Sequence, residues 1–134
     1  MEKTITVSGK QVRLKTSGAF PLRFKAQFHK DYFKELTKLV PLLDVYEKVN
    51  KSKSKKSELQ GAVDAIDLLD FDLLYNIVWT MAKTADPKIP EPFEWLDQFE
   101  SFPIIDVLPQ VQEMLTAMIT TEKNSLAANQ AANH

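Results

Sequence analysis

The chain has 134 residues, 44% hydrophobic and 26% charged, which suits a single globular domain with a core of its own. A formal charge of −1 gives no global attraction to nucleic acid or to an anionic membrane. The absence of cysteine excludes disulfides, thiolate metal sites and cysteine nucleophiles, and three glycines are too few for a glycine-rich phosphate cradle.

The first ten residues, MEKTITVSGK, lack the apolar core of a signal peptide, and no run reaches the ~18 apolar residues of a membrane span. Residues Thr4 to Lys15 alternate as a β-hairpin does. A two-residue Gly9-Lys10 turn of the glycine-first kind predicts pairing of Val7 with Val12 and of Ile5 with Leu14. Those four side chains then share one face, which must be covered by helices.

After the turn-like Thr16-Ser17-Gly18, Phe20, Phe24 and Phe28 recur every four residues. They predict an aromatic stripe on a short helix, with Pro21 tolerated in its first turn. Asp31 is placed to cap a second helix whose apolar side is Phe33, Leu36, Leu39 and Val40. Pro41 predicts a break near Val40, after which LLDVYEKV resumes a turn or two. Residues 50–57, NKSKSKKS, read as a solvated basic loop. Phosphate binding by its lysines is the sharper alternative, without the interleaved aromatics that would support it. Glu58 to Leu69 carries Leu59, Val63, Ile66 and Leu69 at helical spacing, disturbed at Gly61.

The strongest single signal is Asp70 to Lys83, DFDLLYNIVWTMAK. Leu73, Leu74, Ile77, Val78 and Met81 fall on one helical face, and Phe71, Tyr75, Trp79 and Ala82 lie on the flanks. A helix so apolar is buried on several sides. Asp70 caps its start, while Asp72 and Lys83 suit the two ends of the macrodipole.

Ala85-Asp86-Pro87 ends that helix, and Pro87, Pro90 and Pro92 make an extended connection. PFEWLDQF then restarts a helix with Phe93, Leu96 and Phe99 along one side and Trp95 beside them. Phe102-Pro103 breaks it. The last helix is predicted from Ile104 to Thr121, with a narrow seam of Ile104, Leu108, Val111, Leu115 and Met118. Pro109 lies within its first turn or so. The expected organisation is one α+β, mostly helical domain over residues 1–121, with an N-terminal hairpin on about five to six helices. Residues 122–134 are expected to be a flexible tail.

No catalytic pattern emerges. His29 and His134 have no neighbours at metal-ligand spacing, and H-x-x-x-H, P-loop and G-x-S-x-G patterns are absent. Asp64, Asp67, Asp70 and Asp72 are the densest acidic group, but they lack the spacing and the glycine of an EF-hand. Capping and solvation of helix starts explain them. The residues point to a protein that is not an enzyme and holds no metal or cofactor.

The order of segments carries a resemblance. A short hairpin leads to TSGAFPLRFKAQFHKDYFKEL, a basic loop, DLLYNIVWTMAKTADP and a PFEWLDQFE box containing Trp95, Leu96, Asp97 and Phe99. Over most of residues 4–120 this resembles the tail assembly chaperones of long-tailed bacteriophages and prophages of Gram-positive hosts. Members of that family often have glycine after the phenylalanine that ends the first helix, where this chain has His29. The resemblance implies a non-enzymatic morphogenesis factor of the host bacterial cytoplasm, absent from the finished virion. Its partners would be the tape measure protein, which it keeps soluble, and tail tube subunits, recruited through a longer frameshifted form. Homo-oligomerisation along the client would multiply weak contacts. The side chains that this reading offers as a client or partner interface are Phe24, Phe28, Trp79, Trp95, Phe99, Leu108, Val111 and Leu115. Two other classes stay open: a small structural connector or completion protein of the virion, and a nucleic-acid-binding regulator using Lys51 to Lys56.

Overall fold

Ser8 and Gly9 set the register of the hairpin that opens the chain. In the computed structural model, which describes residues 1–41 and 70–132 (residue 105 and those from 122 onward as backbone alone), both have positive φ, 48° and 79°. Two successive positive φ values make the turn type whose twist matches a strand pair. Strands β1 (Glu2–Val7) and β2 (Lys10–Lys15) therefore pair Val7 with Lys10, Ile5 with Val12 and Lys3 with Leu14. The expected turn is corrected by one residue, from Gly9-Lys10 to Ser8-Gly9, and each expected pair by two. A two-residue slip keeps every side chain on its face. Ile5, Val7, Val12 and Leu14 are accordingly all buried, as the alternation predicts.

Helix α1 (Phe20–Phe28) begins with Pro21 in its first turn and buries Phe20 and Phe24, with Phe28 partly buried. It ends at His29, whose φ of 57° is the left-handed conformation common at helix C-termini and most easily adopted by glycine. Helix α2 (Tyr32–Thr37) is capped by Asp31, whose carboxylate accepts from the Phe33 N–H at 3.1 Å. Leu36 and Leu39 are buried as expected, but Phe33 is 50% exposed and Tyr32 takes its place. Tyr32 sits edge-on to Phe20 and Phe24, at centroid distances of 5.4 and 6.1 Å, which turns its neighbour outward.

Helix α3 (Phe71–Ala85) is the axis of the molecule. Asp70 caps it, accepting from the Leu73 N–H at 3.2 Å. All five stripe residues, and also Trp79 and Ala82, are buried. Its one fully buried polar side chain, Thr80, donates its hydroxyl to the Asn76 carbonyl at 2.7 Å. The helix packs on β2 and on α1. Lys38, just past α2, donates to Glu35 at 2.9 Å and lies 3.9 Å from Asp70, tying α2 to the start of α3. The hydrogen bond to Glu35 raises the pKa of Lys38, desolvation opposes this, and the charges of Glu35 and Asp70 add to it.

Helix α4 (Pro92–Leu96) is short, and Trp95 in it and Phe99 just beyond it are buried. Phe93, expected on the packed side, is 86% exposed. Two positions apart on a helix lie nearly opposite, so seating Trp95 sends Phe93 to solvent. Helix α5 (Ile104–Ala132) keeps its course through Pro109 and runs past the expected end at Thr121. The added stretch, EKNSLAANQAA, is alanine-rich, and alanine continues a helix without needing an anchor. The expected seam is buried, but so are Val107, Met114 and Ile119, so the apolar face is broader than a coiled-coil seam.

The domain is α+β and mostly helical, with the antiparallel hairpin packed on several helices. The expected turns of LLDVYEKV, the basic loop of residues 50–57, the helix of residues 58–69, Asp64, Asp67 and His134 lie outside the described residues.

Candidate functional site

The aromatic residues gather into two clusters joined by α3. In the first, Phe24 lies 6.5 Å from Phe20 and 5.1 Å from Phe28, and Phe28 meets Trp79 edge-on at 5.6 Å. In the second, Trp95, Phe99 and Phe102 form a triangle with sides of 5.1, 5.7 and 5.9 Å. Tyr75 touches that triangle through Phe102 at 5.4 Å. Tyr75 and Trp79 are one turn apart on α3, so one helix face holds both clusters in place. The Trp79 indole N–H donates to the Pro90 carbonyl at 2.9 Å, and Lys83 donates to the Ile89 carbonyl at 2.8 Å. These two bonds fold the proline connection back onto α3.

This geometry decides between core and surface for the residues named from sequence. Phe24, Trp79, Trp95, Phe99, Leu108, Val111 and Leu115 are all buried inside the chain, and only Phe28 is partly open. As a contact surface for another molecule the set is corrected: these side chains already have partners within their own core. Burial of this kind is worth about 1.5–3 kcal/mol per large apolar side chain, which explains why the pattern is so strong in sequence.

What the surface offers instead is an apolar groove between the open end of the hairpin, the start of α1 and α5. It encloses about 460 Å³, and Met1, Phe20, Pro21, Tyr32, Ala117 and Met118 supply its apolar lining. Thr16, Ser17 and Thr121 add hydroxyls to the lining, the Met1 ammonium donates to the Thr16 hydroxyl at 3.3 Å, and no ionised side chain lines the groove. It shares Met1, Ala117 and Thr121 with a shallower trough along Gln112, Glu113, Thr116 and Thr120. Elsewhere Leu22, Phe33, Phe71 and Phe93 are exposed large apolar side chains. The groove escaped the sequence because Phe20 and Met118 read as core residues, and each does keep one side in the core.

Among the described residues no group of three His, Cys, Asp or Glu side chains is placed to hold a metal ion. No described helix is long and apolar enough to cross a membrane. Comparison with protein-family models, with curated proteins and with solved structures finds no match.

Proposed function

We propose that this protein is a tail assembly chaperone, a non-enzymatic factor that binds the tape measure protein in the host cytoplasm and keeps it soluble. The observation that carries this reading is the open, largely apolar groove beside α5, free of ionised side chains, which accepts one or two large apolar side chains of a helical client. The order of segments, from the hairpin through DLLYNIVWTMAKTADP to the Trp95–Phe99 box, supplies the family context. A client that is long, helical and apolar matches such a groove in shape and in polarity.

The test is co-expression with a phage tape measure protein. The chaperone reading expects that client to move from the insoluble to the soluble fraction and to co-purify with this chain. Ala117→Arg, which places a charge in the groove at a half-buried position, is expected to abolish both effects while the fold persists. A client that is equally soluble with and without the chain overturns the proposal. Recovery of the protein from purified virions would favour the structural alternative instead.

A further inference from the structure

The two outer edges of the hairpin are treated differently. In a hairpin closed by the two-residue Ser8-Gly9 turn, Val7 and Lys10 exchange ladder hydrogen bonds, and so do every second pair beyond them. The bond from the Thr16 N–H to the Met1 carbonyl, at 2.9 Å, continues that same alternation. Thr6, Gln11, Thr4 and Arg13 therefore direct their backbone groups outward. On β1 the outward groups of Thr6 are both taken by the side chain of Gln110, which leaves those of Thr4 without a partner among the described residues. On β2 no described residue bonds the backbone N–H or C=O of Gln11 or Arg13, and both residues are exposed.

Beside that open edge lies a groove of about 230 Å³, with Ala82, Ile89, Trp95 and Phe99 as its apolar lining. We infer that the outer edge of β2 takes an extended acidic peptide segment of a partner protein as a third strand. The backbone groups specify an extended chain, since only that conformation presents donors and acceptors in matching alternation. The groove has room for about one apolar side chain, from the face that adjoins Val12. The charge of the strand specifies the acid. Lys10, Arg13 and Lys15 are its ionised residues; Lys15 lies 3.8 Å from Glu2 and Lys10 donates to the Gln98 carbonyl, while Arg13 has no acidic partner among the described residues. Asp86, the one carboxylate on the groove wall, accepts from the Lys88 N–H at 3.0 Å and keeps its charge, so the groove itself takes an apolar side chain of the segment and not an acidic one. Like charges opposed across a strand pair are destabilising, so the same cations disfavour a second copy of β2 as the occupant. This inference stands on the backbone groups and the charges, and does not depend on the chaperone reading.

The experiment is amide hydrogen exchange on the full chain, with and without a capped peptide Glu-Val-Glu-Leu-Asp-Val-Glu. A Lys-Val-Lys-Leu-Lys-Val-Lys peptide is the control. The acidic peptide is expected to slow exchange at Gln11 and Arg13 by about tenfold or more, and to lose its hold at high salt. Gln11→Pro removes one outward N–H, which an edge strand tolerates, and keeps all three cations. Arg13→Glu keeps the N–H and reverses the charge. Each is expected to weaken peptide binding by about tenfold. Unchanged exchange at saturating acidic peptide overturns the inference, as does equal protection by the lysine peptide. Protection already present in the free chain and rising with protein concentration also overturns it, by assigning the edge to a second copy.

Discussion

The side-chain amide of Gln110 pairs with the backbone of Thr6 as a neighbouring strand would. Its Oε1 accepts from the Thr6 N–H at 2.9 Å, and its Nε2 donates to the Thr6 carbonyl at 3.0 Å. The second Nε2 hydrogen goes to the Asp106 carbonyl at 2.9 Å, and Lys3 donates to the Gln110 carbonyl. One residue of α5 thus covers the β1 edge at Thr6 and fixes the helix against the hairpin across more than a hundred positions of sequence. Gln110→Ala is expected to cost about 1–2 kcal/mol in chemical denaturation, because the contact is exposed and water replaces part of it. Gln110→Glu keeps the size but loses both donors, and should fall close to the alanine variant. A glutamate variant as stable as wild type would show that shape, and not the hydrogen bonds, holds the edge.

The core should respond at α3 first. Trp79→Ala and Ile77→Ala each remove a side chain that is almost wholly buried, and each is expected to cost roughly 2–5 kcal/mol. Trp79→Phe fills most of the volume but leaves the Pro90 carbonyl without its donor, for an expected loss of about 1–2 kcal/mol. Equilibrium urea unfolding measures all three. An alanine variant at position 79 with unchanged stability would contradict the burial seen there.

The parts of the fold legible in sequence are those where one physical term dominates. The α3 stripe, the Asp70 and Asp31 caps and the aromatic spacing of α1 rest on periodicity and local hydrogen bonding, and the structure has each of them. The hairpin register was not legible, because a slip of two residues leaves the hydrophobic faces unchanged and only turn geometry separates the two pairings. Phe33 and Phe93 were misplaced because composition does not say which of two neighbouring aromatics a short helix will bury. Tyr32 wins its position by ring contact with Phe20 on α1, and Trp95 by ring contacts with Phe99 and Phe102 in the connection that follows its helix. The groove was hidden for a related reason: it forms where Phe20, Tyr32 and Met118 converge from three distant segments.

His29 gives a test of local strain. A non-glycine residue in the left-handed region costs about 1–2 kcal/mol relative to its ordinary conformations. Glycine removes that cost and adds unfolded-state entropy, so His29→Gly is expected to stabilise by about 0.5–1 kcal/mol. His29→Val, β-branched and poorly suited to positive φ, should destabilise by about 1–2 kcal/mol. Thermal unfolding of the pair decides the matter. If both variants lie within experimental error of wild type, the left-handed cap is not under strain.

The end of α5 separates folding from whatever follows it. Met118 and Ile119 are the last side chains described as buried, and Thr121 is already exposed. Helix continues to Ala132 on a sequence whose alanines favour it locally. A helical segment of that length is marginal in water on its own, and its sequence has no apolar stripe like that of residues 104–118, so its contribution to the cooperative transition should be small. Truncation after Thr121 is therefore expected to change the unfolding free energy by no more than about 0.5 kcal/mol, while far-ultraviolet circular dichroism falls with the lost turns. A truncated chain that fails to fold would show that Leu126 or its neighbours dock on the core. The chaperone reading adds a separate expectation at the same place, since a frameshifted extension would begin near this terminus and leave the shorter domain intact. Expressing the gene with its downstream frame and blotting for a second, longer product tests that point without touching stability. A single product would remove the frameshift and its tail tube recruitment, and would leave the groove and its client to be judged by co-expression.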